Sequence, residues 1–235
     1  MITKHVPNAI TSLNLASGCV SIVFAFNGSF KTAALFILLA AVFDFLDGFA
    51  ARLLKSYSTI GKELDSLADM VSFGVAPGMI LYQFMLELSD NTGGYAFWAW
   101  FAFLIPVFSA LRLAKFNLDK RQTLSFLGLP TPANAMFWSF GVAFTYDKLF
   151  DFYIDPWVIV PFICLFVWML VSEIPMFSLK IKHFGWSQNK QAYTFLISSA
   201  FLVIFFGLAG VSACILLYIL VSFFSSSYVR RKRKA

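Results

Sequence analysis

The chain has 235 residues, 60% of them hydrophobic and 13% charged, with a mean hydropathy of +0.78 and a net charge of +6. A water-soluble domain of this length has nowhere to put that much apolar surface, so composition excludes one and predicts an all-α polytopic membrane bundle, a single domain over residues 1–235. Cys19, Cys164 and Cys214 lie in apolar stretches without a CxxC spacing, which excludes a disulfide framework and a thiolate metal site.

Residues 1–11, M-I-T-K-H-V-P-N-A-I-T, lack a signal-peptide layout and are expected to form a short interfacial segment. Eight apolar runs follow, at 12–28, 31–53, 64–86, 95–114, 132–150, 156–178, 191–207 and 209–227, each close to the roughly 17–25 residues that span a bilayer. The last two can also be read as one hairpin turning at Gly207 to Gly210. Pro77, Pro106, Pro161 and Pro175 fall inside these runs and are expected to kink them, and Gly74 and Gly78 form a G-x-x-x-G suited to close helix packing. His5 and His183 stand alone and are read as incidental. The basic tail at 228–235, with its R-R-K-R-K run, is expected to anchor topology or meet anionic lipid rather than nucleic acid.

With eight spans both termini fall on one side. That side collects Lys4, Arg52, Lys55, Lys62, Lys115, Lys120, Arg121, Lys180, Lys182, Lys190 and the tail, while the other keeps Lys31 and Lys148 beside Glu87, Asp90, Asp147, Asp151 and Asp155. The positive-inside rule then places the protein in the cytoplasmic membrane with both termini at the cytoplasmic face.

The second and third spans carry the chemistry. Asp44, Asp47, Asp65 and Asp69 lie in or beside apolar helices, where a carboxylate costs about 2.5–3.5 kcal/mol to insert. At 3.6 residues per turn, Asp44, Asp47, Gly48 and Ala51 share an arc of about 100°, with Arg52 at its border; Gly61, Asp65, Asp69 and Ser72 share an arc of about 80°. A short cytoplasmic turn at about 54–60 joins the two helices, so they are expected to be antiparallel neighbours with facing acidic stripes. Four carboxylates suit one or two hard divalent cations such as Mg²⁺ or Mn²⁺, and a pair of ions is a common clamp in phosphoryl transfer. Gly48 and Gly61 leave room for a ligand, and Arg52 puts a guanidinium at the edge, suited to a phosphate. These residues point to a metal-assisted pyrophosphate site near the cytoplasmic face. Interhelical polar contacts, or a proton or ion path as in a transporter, are the other readings of such acids.

The run from Asp44 to Asp69, D-x2-D-G-x2-A-R-x8-G-x3-D-x3-D, resembles the signature of the CDP-alcohol phosphatidyltransferase family at all eight fixed positions. The resemblance implies an enzyme that displaces CMP from a CDP-linked lipid or alcohol with a hydroxyl nucleophile and divalent metal. It implies that Asp44, Asp47 and Asp65 are metal ligands, and that Asp69 is the general base and a further metal contact. Gly48, Ala51, Arg52 and Gly61 would line the CDP pocket. A homodimer among membrane lipids is expected with it.

Four further blocks resemble the branch of that family that accepts L-serine and uses CDP-diacylglycerol: P-N-A-I-T-S-L-N-L-A-S-G at 7–18, S-L-A-D-M-V-S-F-G-V-A-P at 66–77, A-L-R-L-A-K-F-N at 110–117 and F-L-G-L-P-T-P-A-N-A at 126–135. Lys115 stands where the resemblance would place a second arginine. Arg112, Lys115 and Arg121 are candidates for holding the serine carboxylate, or else topology-setting charges. The N-terminal resemblance points to Asn8 and Thr11 as hydrogen-bond partners of the nucleotide or of a metal-bound phosphate. Sibling enzymes that use glycerol 3-phosphate or an inositol compound are the nearest alternative.

Overall fold

A computed structural model describes residues 5–56, 58–118, 126–151, 154–176 and 189–232; Arg121, His183 and the side chains of the basic tail lie outside them. The described residues form helices α1 (Val6–Phe26), α2 (Phe30–Leu53), α3 (Thr59–Asp69), α4 (Ala76–Thr92), α5 (Leu104–Leu118), α6 (Thr131–Asp151), α7 (Val160–Val171), α8 (Lys190–Phe206) and α9 (Gly210–Lys232). A π-helical turn, Met70–Val75, fuses α3 and α4 into one rod, and a 3₁₀ stretch, Ala96–Phe103, leads into α5. Strands β1 (Phe126–Leu127) and β2 (Pro175–Met176) pair antiparallel, Phe126 opposite Met176.

The fold is all-α, as composition requires. Among the described residues, five stretches are long and apolar enough to cross a membrane: Val6–Phe26, Phe30–Leu53, Thr59–Thr92, Ala96–Leu118 and Ala192–Phe224, with Pro156–Val171 apolar but shorter. Eight spans were expected. The run expected at 156–178 ends as a helix at Val171, and Pro175 sits in β2 rather than in a kink. The remaining three prolines occupy junctions: Pro77 opens α4 after the π turn, Pro106 stands in the first turn of α5, and Pro161 in that of α7. A first turn loses nothing to the missing N–H. The run Ala192–Phe224 is a hairpin broken at Gly207–Ala209, since Cys214 Sγ on α9 lies 3.4 Å from the Ser199 carbonyl on α8.

Helix α1 begins at Val6, so residues 6–11 continue the first helix rather than forming a separate segment. Its buried face reads Thr11, Asn14, Gly18, Ser21 and Ala25, small or polar residues spaced three and four apart. Lipid is as apolar as leucine, so helices in a bilayer associate through small residues and interhelical hydrogen bonds. Ser21 Oγ donates to the Ala33 carbonyl of α2 at 2.8 Å, and Ala33, Ala34, Ile37 and Ala40 complete that seam. Large apolar residues such as Val23, Phe26, Phe45 and Phe49 face outward. At the end away from the aspartates, Phe30, Phe84 and Tyr146 cluster, and the Tyr146 hydroxyl donates to Glu87 Oε2 at 2.6 Å.

The glycine pair works as close packing requires. A Cβ on Gly78 would meet Pro106 Cδ at 2.9 Å, and one on Gly74 would meet Ser109 Cβ at 3.1 Å, so both glycines let the α4 rod approach α5. One adjacency differs from expectation. Helix α3 packs on α1 and scarcely touches α2. Helices α2 and α3 therefore stand apart, with α1 closing the gap between them, and that gap is the site.

Candidate active site

Three helices build the cavity. It holds about 210 Å³ and is lined by Asn8 and Thr11 from α1, Asp47, Gly48 and Ala51 from α2, and Gly61 and Asp65 from α3. Ser56 and Ser58 from the connecting turn, with Lys62, complete the wall. Ser58 caps α3 by accepting the Gly61 N–H at 2.9 Å, which fixes where the turn ends and the acidic helix begins.

Asp44, Asp47 and Asp65 each offer a carboxylate oxygen, and the three atoms lie within 4.8 Å of one another. Thr11 Oγ1 donates to Asp47 Oδ2 at 2.6 Å and lies 3.0 Å from the Pro7 carbonyl, the other acceptor open to its single proton. Asp65 Oδ1 is buried without a partner among the described residues. Three like charges converging in a half-buried cleft repel one another unless a cation or protons intervene. An all-oxygen donor set with a spare buried lone pair fits a hard divalent cation. Asp69 lies outside this group of three. It stands in the electrostatic field of Asp44, Asp65 and Asp47, and accepts a hydrogen bond from Asn14 Nδ2 at 3.3 Å.

The two glycines of the motif differ physically. A Cβ on Gly48 would meet nothing within 4 Å, so this position opens onto the cavity. A Cβ on Gly61 would lie 2.9 Å from both Asn8 Oδ1 and Ser58 Oγ, so Gly61 is what lets α1 and the α3 cap close together. Arg52 is exposed, and its Nε donates to the Gly48 carbonyl at 2.9 Å. That bond fixes the root of the guanidinium beside the cavity without making it part of the wall.

The acceptor candidates separate. Arg112 is buried; its Nε donates to the Leu129 carbonyl at 2.7 Å and its Nη1 to Thr131 Oγ1 at 3.1 Å, over the Phe116 ring. It also stands in the field of Asp69. The blocks 110–117 and 126–135, distant in sequence, are thus latched together near Asp69. Lys115 points elsewhere: its Nζ is 3.4 Å from the Val171 carbonyl and 3.5 Å from Glu173 Oε1. Asn117 Nδ2 donates to Ser66 Oγ at 2.8 Å and ties the end of α5 to α3.

Sequence reasoning missed Asn14, Ser56, Ser58 and Lys62. Lys62 and the serines had a signal, since they sit in the turn that joins the two halves of the motif. Asn14 had one too, lying one turn beyond Thr11 on the same face.

The class of protein is a helical bundle with membrane-length apolar helices and a carboxylate triad beside a three-helix cleft. The family model for CDP-alcohol phosphatidyltransferase matches residues 4–171, and the chain belongs to that family. Among curated relatives, the chain is 37% identical over 182 residues to a CDP-diacylglycerol–serine O-phosphatidyltransferase of Mycobacterium leprae, covering 72% of this chain and 57% of the relative. It is 35% identical over 146 residues to the protein of the same name in Bacillus subtilis, covering 62% of this chain and 79% of that one. It is also 35% identical over 135 residues to an archaetidylserine synthase of Methanothermobacter thermautotrophicus, covering 55% of this chain and 54% of the relative. The chain thus spans little more than half the length of the first and last of these.

Proposed function

We propose that this protein transfers the phosphatidyl group of CDP-diacylglycerol to the hydroxyl of L-serine, forming phosphatidylserine and releasing CMP. The observation that carries the reading is the carboxylate triad of Asp44, Asp47 and Asp65 on a cavity that Gly48 leaves open, with Asp69 set apart from it and hydrogen-bonded. The names of the relatives support serine as the acceptor.

Asp69 takes the proton of the serine hydroxyl. The oxygen attacks the phosphorus that bears diacylglycerol, the bond from that phosphorus to the CMP oxygen breaks, and CMP leaves with the electron pair. Asn8, Thr11, Gly48, Ala51 and Gly61 shape the nucleotide side, where Lys62 and Arg52 bring positive charge to the phosphates. Asp44, Asp47 and Asp65 would hold divalent cations, a pair of Mg²⁺ or Mn²⁺ ions. Bound there, they supply charge neutralisation for the pyrophosphate. Arg112 reaches the acceptor side through its position near Asp69. Lys115 is left as a packing and topology charge.

The same reading keeps one catalytic domain of eight spans, with the cavity and both termini at the cytoplasmic face, where CDP and serine are soluble. The asymmetric lysine and arginine distribution supports it. A homodimer is part of the proposal on the family resemblance alone.

The deciding experiment is CMP release from CDP-diacylglycerol by purified protein with Mg²⁺ or Mn²⁺, offering L-serine, glycerol 3-phosphate and inositol in turn. Serine-dependent release is expected. Release with glycerol 3-phosphate but not serine would overturn the assignment.

A further inference from the structure

Asn14 is fully buried on the α1 face that meets the catalytic rod. Its Nδ2 donates to Asp69 Oδ1 at 3.3 Å. A carboxylate only accepts, so the amide must turn its NH₂ toward Asp69 and leave Oδ1 on its other edge. That oxygen is buried and has no hydrogen-bond partner among the described residues. The backbone on either side of this contact is clamped. Ser72 Oγ, on the π turn directly after Asp69, donates to the Asn14 carbonyl at 2.9 Å. Gly18 leaves room for it: a Cβ there would fall on Ser72 Oγ and lie 2.8 Å from Ser72 Cα. An orphaned, rigidly held oxygen beside a base calls for a donor that arrives with the substrate.

We propose that Asn14 is a specificity-determining residue that accepts a hydrogen bond from the α-ammonium of the acceptor, and so selects an alcohol with an amine on the adjacent carbon over one that lacks a donor there. The proposal rests on the serine reading above and deepens it. Serine carries its hydroxyl and ammonium on adjacent carbons, about one hydrogen-bond length apart when gauche. A hydroxyl seated on Asp69 therefore puts the ammonium at the neighbouring amide. Amide geometry places Oδ1 about 2.3 Å from Nδ2, within the span of such a molecule. The acceptor arrives past Asp69, which is only partly buried. A carbonyl oxygen takes N–H from an ammonium and gains nothing from an acceptor with no donor on that carbon.

The test compares L-serine with 3-hydroxypropionate, which keeps hydroxyl and carboxylate but lacks the amine. Each is assayed as substrate, and 3-hydroxypropionate also as a competitor of serine, with wild type, Asn14→Ala and Asn14→Gln. The expected result is a fall of about 10–100-fold in kcat/KM for serine in Asn14→Ala, carried mainly by KM. Turnover and competition by 3-hydroxypropionate lose only the Asn14 bond to Asp69 and should fall by less than serine turnover does, so the serine to 3-hydroxypropionate ratio drops and the preference for the amine collapses. Asn14→Gln, which keeps the amide one methylene away, should lose the preference in part. Binding of CDP-diacylglycerol reports folding in each variant. An unchanged serine to 3-hydroxypropionate ratio in both variants overturns this role while leaving the serine reading intact. Wild-type activity with glycerol 3-phosphate and none with serine overturns both.

Discussion

The rod of α3 and α4 and the hairpin of α8 and α9 are both long and apolar, yet they live in different surroundings. In the most apolar window of Thr59–Thr92, 61% of residues are buried inside the protein; in that of Ala192–Phe224 the share is 11%. The rod carries Asp65 and Asp69 and is gripped by α1, α5 and α6. The hairpin supplies none of the residues lining the cavity, and the family match stops at residue 171, before it begins. Hydropathy alone ranks the hairpin higher. In a bilayer, then, the most apolar segment is the one least involved in chemistry, because burial against other helices is what permits polar side chains.

The largest effects should follow from changes on the rod. Asp69→Asn keeps an oxygen for Asn14 to donate to but removes the base, so turnover should drop by about 10²–10⁴-fold. CDP-diacylglycerol binding should persist, measured with the substrate in detergent micelles; full activity in this variant would refute the base assignment. Chelation is next. Removing divalent cations should abolish CMP release, with recovery on adding Mg²⁺ or Mn²⁺, whereas the folded state of the protein, followed by circular dichroism, should not change. Turnover in excess chelator would detach the Asp44, Asp47 and Asp65 triad from catalysis.

Glycine substitutions sharpen the contrast within the site itself. Gly48→Ala adds a methyl to open space and Gly61→Ala adds one against Asn8 and the Ser58 cap. The first should raise KM for CDP-diacylglycerol by a few-fold without loss of thermal stability. The second should destabilise by about 1–3 kcal/mol, read as faster thermal inactivation. The reverse ranking would mean that Gly48, not Gly61, is the packing glycine.

The aspartates, their spacing and their two faces were legible in the sequence because a helix repeats regularly and four acids in an apolar run have few innocent explanations. The third wall was legible only in part. Residues 1–11 look like an interfacial segment, and Asn8 and Thr11 stood out by resemblance alone; packing shows that both line the cleft and that Asn14, one turn on, reaches Asp69. Arg112 reads equally as a cation for the serine carboxylate and as a topology charge at a span end; its burial depends on a carbonyl at Leu129, seventeen positions later in sequence, which no local pattern announces. The π turn after Asp69 is equally silent, since Met70–Val75 is apolar and one widened turn leaves no mark on periodicity.

The smallest effect belongs to the hairpin, and it tests the comparison most directly. Ser212 Oγ on α9 donates to the Phe137 carbonyl of α6 at 2.9 Å, and Gly141 sits one turn further along the same seam. Losing that hydroxyl in Ser212→Ala should cost about 0.5–1.5 kcal/mol of stability, since the carbonyl keeps its own helical partner. Outward-facing Phe205→Leu should cost less still, because lipid replaces the lost contacts. Residual activity after graded heating in detergent should separate the two variants, while KM for serine and for CDP-diacylglycerol stays at the wild-type value in both. A change in KM from Ser212→Ala would mean that α9 reaches the acceptor side through α6. Tyr218, which stands in the electrostatic field of Arg112, would then be the residue to follow, and the division between a catalytic rod and a lipid-facing hairpin would have to be redrawn.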